Sequence, residues 1–172
     1  EKIKRKNIDE PREVKSHYVE EKLSVCTPQF MLGFKEAHAN PEVSAKHALA
    51  MDMLLDIIAG QSSALYKRLL EKGLINTSFS YEYFTGFCYS AVLFGGESSD
   101  PKAVEEEIKK EIASLKANGI DRKIFSRTQK KLYGRMIMGL NDIDEIANNM
   151  VLSYFDGEDI FTDFEVYKTI TP

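Results

Sequence analysis

"GQSSALYKRLLEKGLINTSFSY", residues 60–81, changes hydrophobic period at its midpoint. Its first half reads as a helix. Gly60 can accept a left-handed backbone and end a preceding helix, and Ser62 or Ser63 can cap the next by accepting a hydrogen bond from a free amide. Leu65, Leu69 and Leu70 then place an apolar stripe on one face. Gly73 stops that helix. Beyond it Ile75, Thr77, Phe79, Tyr81 and Tyr83 alternate with Asn76, Ser78, Ser80 and Glu82, the period-two signature of a half-buried strand.

Working upstream, "ALAMDMLLDIIAG", residues 48–60, closes a helix expected from Glu42 to Ala59, with Asn40 as its cap and Pro41 at its first position. Its apolar positions nearly encircle it, which predicts burial on most sides. Before it, Phe30, Leu32 and Phe34 alternate with Met31, Gly33 and Lys35 as a strand. Val14, Tyr18, Val19, Leu23 and Val25 suggest another, partly exposed strand. Residues 1–12 are mostly charged and read as an exposed lead-in to a single domain over 13–172.

Downstream, "FTGF" is a turn, and Phe87, Tyr89, Ala91 and Leu93 against Cys88, Ser90, Val92 and Phe94 make the second arm of a hairpin. Asp100-Pro101 caps a helix striped by Val104, Ile108, Ile112 and Leu115 and ended at Asn118-Gly119. Asp121 caps the next, with Ile124, Leu132, Met136 and Leu140 at helical spacing. Helical stretches over 142–155 and 161–169 follow. Strands, two helices, a hairpin and then further helices predict an α+β fold, an antiparallel sheet with helices packed on one face.

With 172 residues, 43% hydrophobic and 29% charged, the chain can bury a core without a metal or disulfide staple. Its formal charge of −4 argues against nucleic acid. The apolar run over 48–60 is interrupted by Asp52 and Asp56 and is too short for a bilayer, so no membrane partner is expected. Cys26 and Cys88 lack Cys-x-x-Cys spacing and read as reduced, buried thiols of a cytoplasmic protein.

Motifs for chemistry are sparse. His17, His38 and His47 form no metal signature, and no metal is expected in this chain. "GQSSA" lacks the strained nucleophile elbow, so its serines read as helix caps. The basic run over 122–135 reads as a solvated face. The aromatic residues Phe79, Tyr81, Tyr83, Tyr89 and Phe94 read as core, although a free sheet edge beside them could hold an extended peptide.

"TPQFMLGFKEA" (27–37), "LLDIIAGQSSALYKRLLEKGLI" (54–75) and "EEEIKKEIASLKANGIDRKIFSRTQKKLYGRMI" (105–137) together resemble the C-terminal domain of the insulinase/pitrilysin family of zinc metallopeptidases, in its bacterial processing-peptidase-like branch. The resemblance spans roughly residues 11 to 170 and rests on the order of these stretches. It implies a clam-shell enzyme. An N-terminal domain would carry the zinc, and this domain would enclose and position the peptide without being catalytic itself. The partners implied are that zinc domain, in the same chain or a related subunit, and the peptide substrate.

Family members commonly end the helix before this corner in Leu-Arg-Glu-Lys-Arg-Gly-Leu-Ala-Tyr, whose arginine and tyrosine reach the substrate. Aligning "LLEKGLIN" (69–76) on that pattern puts Leu70 at the arginine position and Asn76 at the tyrosine position. Neither can make the expected contact, since leucine donates no hydrogen bond and asparagine is short and neutral. A degenerate, non-peptidase partner subunit is therefore the alternative within the resemblance, and a stand-alone peptide-binding module is the alternative outside it. The family's domain also extends beyond both ends of this chain, so flanking elements are expected to be missing. An edge strand exposed as a result could pair two copies into a homodimer.

Overall fold

The structure, a computed structural model, describes residues 11, 13–36, 43–86, 89–157 and 159–172. Most of the lead-in, Asn40, Pro41, His38 and Cys88 lie outside the described residues.

Among the described residues the chain forms β1 (Gln29–Lys35), α1 (Ala45–Ala59), α2 (Ala64–Glu71), β2 (Ser80–Gly86), β3 (Tyr89–Glu97), α3 (Pro101–Asn118), α4 (Arg122–Gly139), α5 (Ile143–Asp156) and α6 (Thr162–Lys168). The fold is α+β. The strands pair antiparallel in the order β1-β3-β2, with Phe34 opposite Val92 and Tyr83 opposite the same residue from the other side. Phe30, Leu32 and Phe34 face the helices while Met31 is 75% exposed, so the alternation in β1 sorts side chains as expected.

Two apolar clusters share α1. Leu55 and Ile58 join Leu65, Leu69, Phe94, Val104 and Ile108 between sheet, α2 and α3. Met53 joins Phe125, Tyr167 and Ile170 between α1, α4 and α6. The stretch Ala45–Glu71 has the length and composition to cross a membrane, but half of its most apolar window is buried in the fold.

Several local expectations are corrected. Residues 14–25 are not a strand: Tyr18, Val19 and Leu23 are exposed, and no strand among the described residues pairs with them. Val43 and Ser44 precede the helix instead of belonging to it, because the Ser44 hydroxyl accepts the His47 amide and caps α1 there. In α2, Tyr66 replaces Leu70 on the buried stripe. In α4, Leu132 and Met136 pack on the core as expected, but Phe125 and Thr128 take the buried places at its start and Ile124 is 39% exposed. Cys26 is exposed, since it lies in the irregular segment that leads into β1 and belongs to no strand.

Candidate functional site

The corner around Gly73 is built by the backbone. The Leu74 amide donates to the Leu69 carbonyl at 2.9 Å and the Gly73 amide to the Leu70 carbonyl at 3.0 Å, the paired bonds of a Schellman stop. Gly73 has φ 65°, a conformation that costs a residue with a Cβ about 1 kcal/mol. Leu69 and Leu74 both pack into the first core, which fixes the direction in which the chain leaves. Gly60 works differently from expectation. Its φ is −60°, and its requirement is space, because a Cβ there would lie 2.4 Å from the Asp56 carbonyl oxygen. Ser63 is the cap of α2, accepting the Tyr66 amide at 3.0 Å.

The strand does not begin at Ile75. Asn76 Oδ1 accepts the Ser78 amide at 2.8 Å and its carbonyl accepts the Phe79 amide at 3.2 Å, forming a polar turn that delays β2 to Ser80. The turn is tied to the end of β3, since Asn76 Nδ2 donates to Glu97 at 2.7 Å and Ser78 Oγ accepts the Glu97 amide at 3.0 Å. Leu70 and Asn76 therefore flank one corner. Leu70 is 45% exposed, and the Asn76 side chain is held by its own turn.

The neighbouring cations are also committed. Arg68 reaches Glu111 at 2.6 Å and Glu107 at 3.6 Å, and Lys72 reaches Glu107 at 3.0 Å, so both dock α2 onto α3. The Lys72 hydrogen bond holds the Glu107 carboxyl below its ordinary range.

Two polar clusters sit deeper. Glu36 Oε2 accepts from Tyr83 at 2.6 Å and from Ser90 at 2.9 Å, and Oε1 lies 2.9 Å from His47 Nε2. Burial pushes the Glu36 carboxyl up, but the Tyr83 and Ser90 hydrogen bonds and His47 outweigh it and hold it below its ordinary value. Burial and the bond to Glu36 push the Tyr83 phenol up to about 12. Around α1, Asp56 is buried between Lys131 and the Tyr81 hydroxyl, which donates at 2.9 Å. Sequence reading missed both clusters. Their only signal was an aspartate and a glutamate beside apolar runs.

Among the described residues the arrangement offers no activated nucleophile. Ser63 is a cap, Tyr81 and Tyr83 donate to carboxylates, and Ser90 donates to Glu36. Among the described residues no three His, Cys, Asp or Glu side chains gather as a metal site.

A family profile described as "Peptidase M16 inactive domain" matches residues 1–132. The chain belongs to the M16 peptidase family. It matches an uncharacterized zinc protease, YmfH, of Bacillus subtilis (strain 168) at 30% identity over 174 residues, covering 98% of this chain and 40% of that one. Among solved structures it is similar to a putative M16-like peptidase from Alicyclobacillus acidocaldarius at 30% identity and TM-score 0.78, over 86% of this chain and 36% of that one. The inactive peptidase domain of a putative zinc protease from Bordetella parapertussis shares the fold at 13% identity and TM-score 0.66, over 86% of this chain and 80% of that one.

The chain thus spans about two fifths of the curated relative it matches. The M16 inactive domain named by the profile agrees with a corner built for packing, with its cations committed to α3. The resemblance stated from the sequence stands at the level of family, domain and fold.

Proposed function

We propose that this M16 domain encloses and positions a peptide for a zinc domain that performs the hydrolysis, in the same chain or in a related subunit. The observation that carries the reading is the match to the family's inactive domain, set beside a described set of side chains with no metal cluster and no activated nucleophile. The zinc would be held by the partner domain. Its role is to activate the attacking water, while this half excludes bulk water and holds the peptide.

The positions that resemblance assigns to substrate contact, Leu70 and Asn76, supply van der Waals surface and a neutral amide in place of a guanidinium and a phenol. Their exposure at one corner supports their facing a partner surface. The same substitutions favour the second reading, a partner subunit that has lost its contribution to the transition state. A cytoplasmic setting is part of this proposal, on the strength of an exposed free thiol at Cys26.

The test is to dialyse the purified chain against a weak chelator, then measure zinc and incubate it with a mixed peptide pool. The expected result is zinc far below one per chain and no cleavage. Stoichiometric zinc or cleavage would overturn it.

A further inference from the structure

Away from the Gly73 corner, a groove of about 890 Å³ opens between α1, the end of β2, α4, α5 and the start of α6. Its walls mix apolar side chains, Leu49 from α1, Met136 from α4, Leu140 just past it, Ile146 and Leu152 from α5 and Phe164 from α6, with the polar Thr85, Asn149 and Ser153. Three carboxylates stand among them, Asp52, Glu145 and Asp163, contributed by three different helices. None has an ion pair or side-chain hydrogen bond with another described residue, and among the described residues no lysine, arginine or histidine lines the groove. The helix forming one wall is itself uncovered. None of residues 143–155 is buried, and Leu152 and Phe155 are 60% and 78% exposed.

An apolar helix face left in water over this length marks a binding surface. Its occupant is set by charge. Three carboxylates among these mixed walls repel an acidic partner, stay uncompensated beside a purely apolar one, and favour one with cations next to its apolar residues. Desolvation by the walls pushes the Asp52 carboxyl above its ordinary value, a penalty that a neighbouring cation relieves. The carboxylates do not gather as a metal site. Three helical walls present ridges and grooves into which another helix fits.

We propose that this groove docks a cationic amphipathic helix of a partner polypeptide, with its apolar face on Leu49, Met136, Leu140, Ile146 and Leu152 and its lysines or arginines at Asp52, Glu145 and Asp163. The proposal is independent of the peptide-enclosing reading, because it concerns the helical side of the fold and requires no zinc domain.

The probe is a fluorescein-labelled amphipathic peptide of about 14 residues built from Leu and Lys, compared with its Leu and Glu counterpart by anisotropy. The cationic peptide is expected to bind about tenfold more tightly. Asp52→Asn, Glu145→Gln and Asp163→Asn together should weaken it about tenfold, with unchanged far-UV circular dichroism. Glu13→Gln, Glu21→Gln and Glu71→Gln remove the same charge from exposed positions and should leave affinity within about twofold. Photo-crosslinking of the cationic peptide to the unmodified chain should label α4 and α5, whether or not the triple variant folds. Labelling elsewhere, equal weakening by both triple variants, or self-association of the chain through the groove would overturn the proposal.

Discussion

The Lys131 ammonium lies 2.6 Å from Oδ1 and 2.5 Å from Oδ2 of Asp56, joining α4 to the innermost turn of α1. Asp56 is 3% exposed and also accepts the Tyr81 hydroxyl, so a single carboxylate ties a helix, a strand and a second helix together. A buried carboxylate of this kind is tolerated only while its partners remain.

Removing the cation should therefore cost more than removing the pair. Lys131→Met is expected to destabilise the chain by about 2 kcal/mol, less than for a fully buried pair because water still reaches the lysine. Asp56→Leu combined with Lys131→Met should recover part of that loss. Urea denaturation of the single and double variants checks the order.

The two glycines of the corner should respond for different reasons. Gly73→Ala meets open space and is expected to cost about 1 kcal/mol, from its backbone conformation alone. Gly60→Ala would press a methyl onto the Asp56 carbonyl and should cost more, about 2 kcal/mol. Equal losses in thermal unfolding would contradict the assignment of steric crowding to Gly60.

Acid should attack the Glu36 cluster. The folded value of Glu36 lies below its ordinary 4.5, so its contribution to stability is complete above about that pH and is lost as pH falls through the folded value. Glu36→Gln should flatten the stability profile in that window, measured by urea titration from neutral pH downward.

Alkali should attack the tyrosines. Burial is the first cause holding the Tyr81 phenol well above the usual tyrosine range and pushing Tyr83 and Tyr167 up to about 12. Their stability contribution is complete below the ordinary value of 10.0 and is lost as pH rises through the folded values. Ultraviolet titration should show these tyrosines ionising late, with unfolding. Tyr83→Phe should remove one late step.

The fold was legible in sequence where one rule acted alone. Alternation in β1, the stripe of α3 and the caps Asp100, Asp121 and Gly73 needed only local chemistry. Reading failed where tertiary partners decide. Residues 14–25 have strand-like composition without a described strand to pair with, and Asn76 delays β2 by accepting backbone amides that alternation ignores. The Asp56–Lys131 pair spans 75 positions of sequence, so no local pattern could announce it. At the candidate site, the family pattern located the corner, but only the structure showed Arg68 and Lys72 held by Glu107 and Glu111.

The central claim is that this domain works by closing over a peptide whose bond is cut elsewhere. Its most direct test is kcat/KM for peptide hydrolysis by the proposed zinc domain, measured alone and after adding this chain in trans. Enclosure and alignment predict that addition raises kcat/KM by about a hundredfold or more. An unchanged value, with complex formation verified by sedimentation, would contradict the account.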